Sequence, residues 1–216
     1  MIKNKLLKML CLLLASLLIF SFSGCGEKSE NTDLGSEEMS DSLPENIDSF
    51  PKAIIYVENY GEIKVALDKS QAPITVENFI TLAKSGFYDG LTFHRIVEDF
   101  VIQGGDPRAD GTGGSENTIK GEFIANGISN TISHKRGVIS MARLGNDYNS
   151  ATSQFFIVLS DDYTSSLDTL YAAFGYVTEG MDIVDKIVKD AIVADYQSGF
   201  VLKQNQPKIS KIEISE

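Results

Sequence analysis

The chain has 216 residues with 30 acidic against 19 basic side chains, and a formal charge of −11 argues against a nucleic-acid partner, whose phosphates need a basic face. Hydrophobic residues make up 43% and charged residues 23%, ordinary globular usage. The two cysteines, Cys11 and Cys25, lie near the N-terminus, and the histidines, His94 and His134, show no His-Glu-x-x-His spacing. Neither a disulfide staple, a metal site nor a cofactor is therefore expected in the globular part.

In chain order, Met1 to Lys8 carry three lysines and no acid, and Met9 to Phe22 follow as an uncharged apolar run. That is the design of a secretory signal peptide, expected over residues 1–24. As a helix the run would reach about 21 Å, short of the ~30 Å needed to span a bilayer. It ends in Phe22-Ser23-Gly24-Cys25, which resembles the lipobox of bacterial lipoproteins, with Phe22 in place of the usual Leu. The resemblance implies a diacylglyceryl thioether on Cys25, which becomes the first residue of the mature chain. The alternative is a plain signal peptide with an incidental cysteine, but a lone free thiol in an oxidising compartment is a liability. Gly26 to Phe50 holds eight acids and one lysine and reads as a self-repelling, disordered spacer. The expected organisation is thus a signal peptide over 1–24, a lipidated cysteine and acidic linker over 25–50, and one folded domain over 51–216. The last has roughly 166 residues, ample for one core.

Within that domain, Ala53–Val57 and Glu62–Leu67 read as a hairpin across Asn59-Tyr-Gly61. Pro73–Ser85 reads as a helix, with Val76, Phe79, Ile80 and Ala83 on one stripe and Gly86 at the exit. Further strands are expected at 91–97, 100–103, 138–142, 154–159, 172–177 and 209–214. A second helix is expected at 181–189 with Ile183, Val184, Ile187 and Val188 on one face. Many short strands with two helices point to a β-rich barrel or sandwich, and periodicity alone decides no further.

Phe93-His-Arg-Ile-Val-Glu-Asp-Phe-Val-Ile-Gln-Gly-Gly-Asp106 resembles the signature segment of cyclophilins. Ala72–Phe79, Gly111–Gly114, Gly137–Ala142, Ser153–Ile157, Phe174-Gly175 and Gly180–Asp182 are similar to further family motifs and stand in the family's order over about residues 51–215. The resemblance implies a mainly β fold, a closed eight-stranded antiparallel barrel capped by two α-helices. It also implies peptidyl-prolyl cis/trans isomerase activity. Such a reaction needs no nucleophile. Amide resonance sets a barrier of ~18–20 kcal/mol, and in the twisted transition state the prolyl nitrogen gains a lone pair that a fixed guanidinium can bind.

By resemblance Arg95 is the catalytic arginine, while Phe100, Val101, Phe156 and Leu167 line the proline pocket with Tyr171 at its rim. Gln103 and Gln154 would hold the substrate backbone, and Ala142 with Arg143 would pair with it as an extended edge. Taken singly, Arg95 could be a surface arginine beside Glu98 or Asp99, and the aromatics plain core. Counting back from Phe174-Gly175 puts Ser166 and Tyr171 where well-known members carry Trp and His. His94 is expected to be a satisfied structural histidine, His134 a loop residue, and Gly111–Gly114 a flexible loop, since no phosphate-loop Gly-Lys-Ser/Thr follows. The implied partners are proline-containing segments of unfolded or folding exported proteins, and a membrane through the lipid anchor; no nucleic acid is expected, and the protein is expected to be a monomer. The expected location is extracytoplasmic, lipid-anchored to a bacterial cell membrane. The rival functions are a holdase that binds proline peptides with little turnover, and a surface adhesin that kept the fold.

Overall fold

The computed structural model describes residues 42–215, so the signal peptide, Cys25 and most of the spacer lie outside the described residues. The strands are β1 (Lys52–Val57), β2 (Gly61–Leu67), β3 (Thr92–Val97), β4 (Val101–Asp106), β5 (Val138–Met141), β6 (Phe155–Val158), β7 (Ala173–Glu179) and β8 (Ile209–Ser215). They form one antiparallel sheet in the order β3-β4-β6-β5-β7-β2-β1-β8. The sheet curls until its two edges meet. Gly90 N–H donates to Ile209 O, Ile209 N–H to Leu91 O and Phe93 N–H to Pro207 O, at 2.8–2.9 Å. Closure rests on this short contact at one end, not on a full ladder between β3 and β8.

Alternation along the strands sorts side chains to two faces, because successive strand residues point oppositely. Ile102, Ile139, Phe155, Ile157 and Phe174 point into the barrel and join Ile55, Ile63 and Leu67 in the main core. Val101, Val138, Phe156, Val158 and Ala173 beside them, and Tyr176 beyond a register shift in β7, point outward, yet they are buried too, in a second apolar cluster. An outward face buried in this way marks where the molecule builds something on the barrel.

Helix α1 (Pro73–Lys84) starts with Pro73, whose missing N–H costs nothing there. The next two N–H groups, of Ile74 and Thr75, donate to the buried Glu122 carboxylate at 3.0 and 2.7 Å, a charge well placed against the helix dipole. Phe79 carries the helix onto the barrel, its ring 5.2 to 5.6 Å from those of Tyr88, Phe155 and Phe174. Helix α3 (Met181–Asp190) buries Val184 and Ile187. Between them the structure adds a helix the periodicity does not signal, α2 (Thr164–Leu167). It is a single turn whose only buried residue is Leu167.

Two other segments depart from expectation. The end of the acidic spacer is not featureless: Ile47–Ser49 form a 3-10 turn, and Ile47 and Phe50, its apolar residues, pack on the outer cluster. Residues 191–206, unassigned in the sequence, run along the outer edge of β3. Val201 N–H donates to His94 O at 2.9 Å and Ile96 N–H to Gly199 O at 2.8 Å, so the edge is covered instead of open.

Candidate active site

Arg95, Gln103, Phe156 and Ser140 are direct cross-strand partners along β3, β4, β6 and β5, so one row of the sheet carries them on one outward face. Arg95 owes that direction to a fault in the pairing. Phe93 opposes Gly104 and Arg95 opposes Gln103, which leaves His94 as an extra residue in β3. Such a bulge reverses the alternation that would otherwise send Arg95 inward with Phe93. His94 turns into the protein instead. It is fully buried, stacked on Phe200 at 6.2 Å, and neither ring nitrogen makes a well-formed hydrogen bond among the described residues. It is structural, but not satisfied as expected, and burial lowers its pKa against the opposing pull of Asp106.

The half-buried Arg95 guanidinium is held at two points. Nε donates to Ser198 O at 2.8 Å, on the segment that covers the β3 edge, and Nη1 lies 3.4 Å from Gln103 Oε1. Its Cζ sits 5.8 Å from the centre of the Phe100 ring. Burial pulls its pKa down, from a starting value so high that the charge remains. Gln103 Nε2 donates to Gln154 Oε1 at 2.8 Å, and Gln154 Nε2 donates to Gly111 O and Gly113 O at 3.1 and 2.7 Å. Gln154 is therefore committed to the protein, and Gly111–Gly114 is a tethered loop and not the flexible one its glycines imply.

Beside Arg95, the outer cluster gathers Val101, Phe156 and Leu167, with Phe100, Ala142 and Tyr171 packed against it. Tyr171 stands edge-on to Phe156 at 5.7 Å. Sequence reasoning missed Tyr163, whose ring lies 4.7 Å from Phe100; Ser166, exposed on the same turn, only bonds back to Tyr163 O. Arg143 bends away from the pocket floor. Its Nε donates to Leu170 O at 3.0 Å, and its Cζ lies 4.7, 4.9 and 5.3 Å from the rings of Tyr171, Tyr148 and Phe123. A cleft of about 640 Å³ continues from Gln103 and Gln154 past Ala142 and Arg143, giving room for an extended chain.

His134, read as a loop residue, is buried under this pocket. Its Nδ1 is 2.8 Å from Asp168 Oδ1, its Nε2 is 2.9 Å from Ser140 Oγ, and its ring stacks on Phe156 at 6.2 Å. Ser140, His134 and Asp168 thus stand in the order of a hydrolase triad. Ser140 is 0% exposed, however, so no substrate carbonyl can reach its hydroxyl. The three groups brace the Phe156 ring instead. Burial would raise the Asp168 carboxyl, but hydrogen bonds from His134 and Ser133 outweigh it and hold the pKa low. Among the described residues no cluster of His, Cys, Asp and Glu is placed to hold a metal, and no helix is long and apolar enough to cross a membrane.

Residues 53–214 match the family model described as cyclophilin type peptidyl-prolyl cis-trans isomerase/CLD. A Helicobacter pylori peptidyl-prolyl cis-trans isomerase is 45% identical over 137 residues, covering 62% of this chain and 79% of that protein. One from Acinetobacter baylyi is 40% identical over 157 residues, or 69% and 76% of the two chains. The crystal structure of a Cryptosporidium parvum cyclophilin type peptidyl-prolyl cis-trans isomerase in the presence of the dipeptide Ala-Pro superposes with a TM-score of 0.66 at 29% identity. That match spans 76% of this chain and 99% of the other. With the barrel, the row from Arg95 to Ser140 and these matches in agreement, the chain belongs to the cyclophilin-type peptidyl-prolyl cis/trans isomerases.

Proposed function

We propose that this isomerase turns X-Pro bonds in exported proteins and so assists their folding, working outside the cytoplasm while held to a bacterial membrane by lipid on Cys25. Arg95 is the catalytic residue of this reading. Phe100, Val101, Phe156, Leu167 and Tyr171 hold the proline ring, Gln103 and the Ala142-Arg143 edge hold the substrate backbone, and Gln154 orients Gln103. The observation that carries it is a guanidinium anchored through Nε and Nη1 beside an apolar cluster that includes Val101 and Phe156 on the same sheet face.

The mechanism follows from what the guanidinium can distinguish. In the planar ground state the prolyl nitrogen's electrons are delocalised, and it is a poor acceptor. As the C–N bond twists they localise into a lone pair, which an N–H of Arg95 stabilises. The donors are fixed before the reaction begins, so little reorganisation is needed at the barrier. No bond is made or broken, and no proton moves. A protease-coupled assay on an Ala-Pro peptide tests the reading. Wild type should turn over and Arg95→Ala should fall sharply, whereas a holdase would bind the peptide and be indifferent to Arg95.

The anchor rests on the basic start, the apolar run and Ser23-Gly24-Cys25. One acyl chain gives marginal membrane binding and two give stable attachment, so a diacylglyceryl group would keep the protein in the membrane fraction. Cys25→Ser should release it or leave an uncleaved precursor. Soluble wild-type protein with an unmodified Cys25 thiol by mass spectrometry would overturn this part.

A further inference from the structure

Asp106 ends β4 fully buried, yet its carboxylate is surrounded by donors. Oδ1 accepts from Arg108 N–H at 2.7 Å, and Oδ2 accepts from Asp110 and Gly111 N–H at 3.2 and 2.6 Å. Burial would raise its pKa, but these backbone donors outweigh that and hold it low. The loop they organise closes tightly on the carboxylate: a Cβ at Gly113 would collide with Asp106 Oδ1.

The same loop delivers the carbonyls of Gly111 and Gly113 to Gln154 Nε2. An amide has a donor end and an acceptor end, so this contact decides which way Gln154 faces. With Nε2 on two carbonyls, Gln154 must show its oxygen to Gln103. Gln103 must then answer with its own Nε2, which turns Gln103 Oε1 toward Arg95 Nη1. If the loop carbonyls withdrew, Gln154 could reverse. Gln103 would reverse with it and present N–H groups to a cation that only donates.

We infer that Asp106 is the positioning residue that aims the Arg95 guanidinium, acting through the Gly111 and Gly113 carbonyls, Gln154 and Gln103; this rests on the reading of Arg95 as the catalytic residue. A carboxylate is required because three N–H groups must be accepted on two oxygens. An asparagine would turn its own NH₂ toward at least one of them.

The test is a kinetic cycle in the full-length chain: Asp106→Asn, Arg95→Ala and the double variant, with peptide binding and thermal melting measured on each. Asp106→Asn should lower kcat by about five- to thirtyfold, within the span of coupling between linked residues, with ground-state peptide affinity within about twofold of wild type. In the Arg95→Ala background the same change should cost almost nothing, because the group it aims is gone. Full additivity would mean a purely structural role and overturn the inference, and so would an Asp106→Asn enzyme with unchanged kcat. Loss of activity in Arg95→Ala with none in Asp106→Asn would reject Asp106 alone, whereas an active Arg95→Ala would reject the catalytic reading first. Should Asp106→Asn fail to fold, Gln154→Leu cuts the same chain two links later. It should reproduce the kcat loss and the non-additivity, and unchanged turnover in that variant would equally overturn the relay.

Discussion

On one flank of the groove, Arg95, Gln103 and Gln154 are joined end to end by hydrogen bonds of 2.8 to 3.4 Å. On the other, Val101, Phe156 and Leu167 hold one another through apolar packing, with Phe100 and Tyr171 laid against them. Both flanks rest on a buried or partly buried carboxylate whose pKa is held low, Asp106 behind the first and Asp168 behind the second. The difference lies in what each carboxylate transmits. Asp106 passes on a direction, because every link from it to Arg95 has a donor end and an acceptor end. Asp168 passes on only a position, by fixing the His134 ring on which Phe156 stacks. A hydrogen-bonded flank should fail by misaiming, and a packed flank by loosening.

The sharpest way to break that contrast is at Arg95. A charge-assisted hydrogen bond is worth ~1.5–3 kcal/mol, so Arg95→Ala should lower kcat/KM by at least about 10- to 150-fold. Melting temperature and ground-state peptide binding should change little, since the side chain is only half buried. Arg95→Lys should recover little, because a flexible ammonium cannot satisfy Ser198 O and Gln103 Oε1 at once. Unchanged turnover in Arg95→Ala would place the chemistry on another residue.

Phe156→Ala should show the opposite signature. The ring is 4% exposed, and truncating a buried Phe costs ~3–5 kcal/mol, with a groove wall at the lower end because solvent can enter the gap. Melting temperature, peptide affinity and turnover should all fall together, since on the proposed reading the pocket serves ground and transition states alike. A Phe156→Ala enzyme that keeps its melting temperature and loses only kcat would erase the distinction between the flanks.

The contrast also explains what could be read from the sequence. Arg95, Phe100, Val101 and Gln103 lie within one hairpin, so a contiguous motif carries them, and the two long helices follow from the Val76-Phe79-Ile80-Ala83 and Ile183-Val184-Ile187-Val188 stripes. The supports do not share that locality. His134 meets Asp168 across 34 residues, and Arg95 meets Ser198 across 103, so no local pattern marks either contact. The four-residue α2 is too short for a periodic signal, and Tyr163 reaches Phe100 only because that turn presents it. The bulge at His94 was invisible for a different reason: it depends on how β3 pairs with β4, a relation absent from either strand alone.

Acid offers the gentlest separation of the flanks. His94, beside the polar flank, has its folded pKa lowered by burial, with Asp106 and Asp110 drawing it up and Arg95 pressing it down. A histidine that resists protonation when folded is neutral in both states above its unfolded value near 6.5, so it costs nothing there. As pH falls below about 6.5 the unfolded chain takes up the proton first, and stability declines. Asp106 and Asp168 have depressed folded values, so their contribution is complete above the unfolded value near 3.9 and is lost as pH falls through that value toward the folded one. The melting temperature should therefore be level above about pH 7, decline gently from about 6.5, and fall more steeply below about 4. His94→Phe keeps the stacking on Phe200 and loses no well-formed hydrogen bond, so it should remove the gentle decline and leave the steep one. Turnover of the wild type should stay flat between about pH 6 and 9, since Arg95 keeps its charge and no proton is transferred. Melting curves of wild type and His94→Phe from pH 3 to 8 decide the matter. If both decline identically between about pH 5 and 6.5, the early acid sensitivity lies elsewhere than beneath the polar flank.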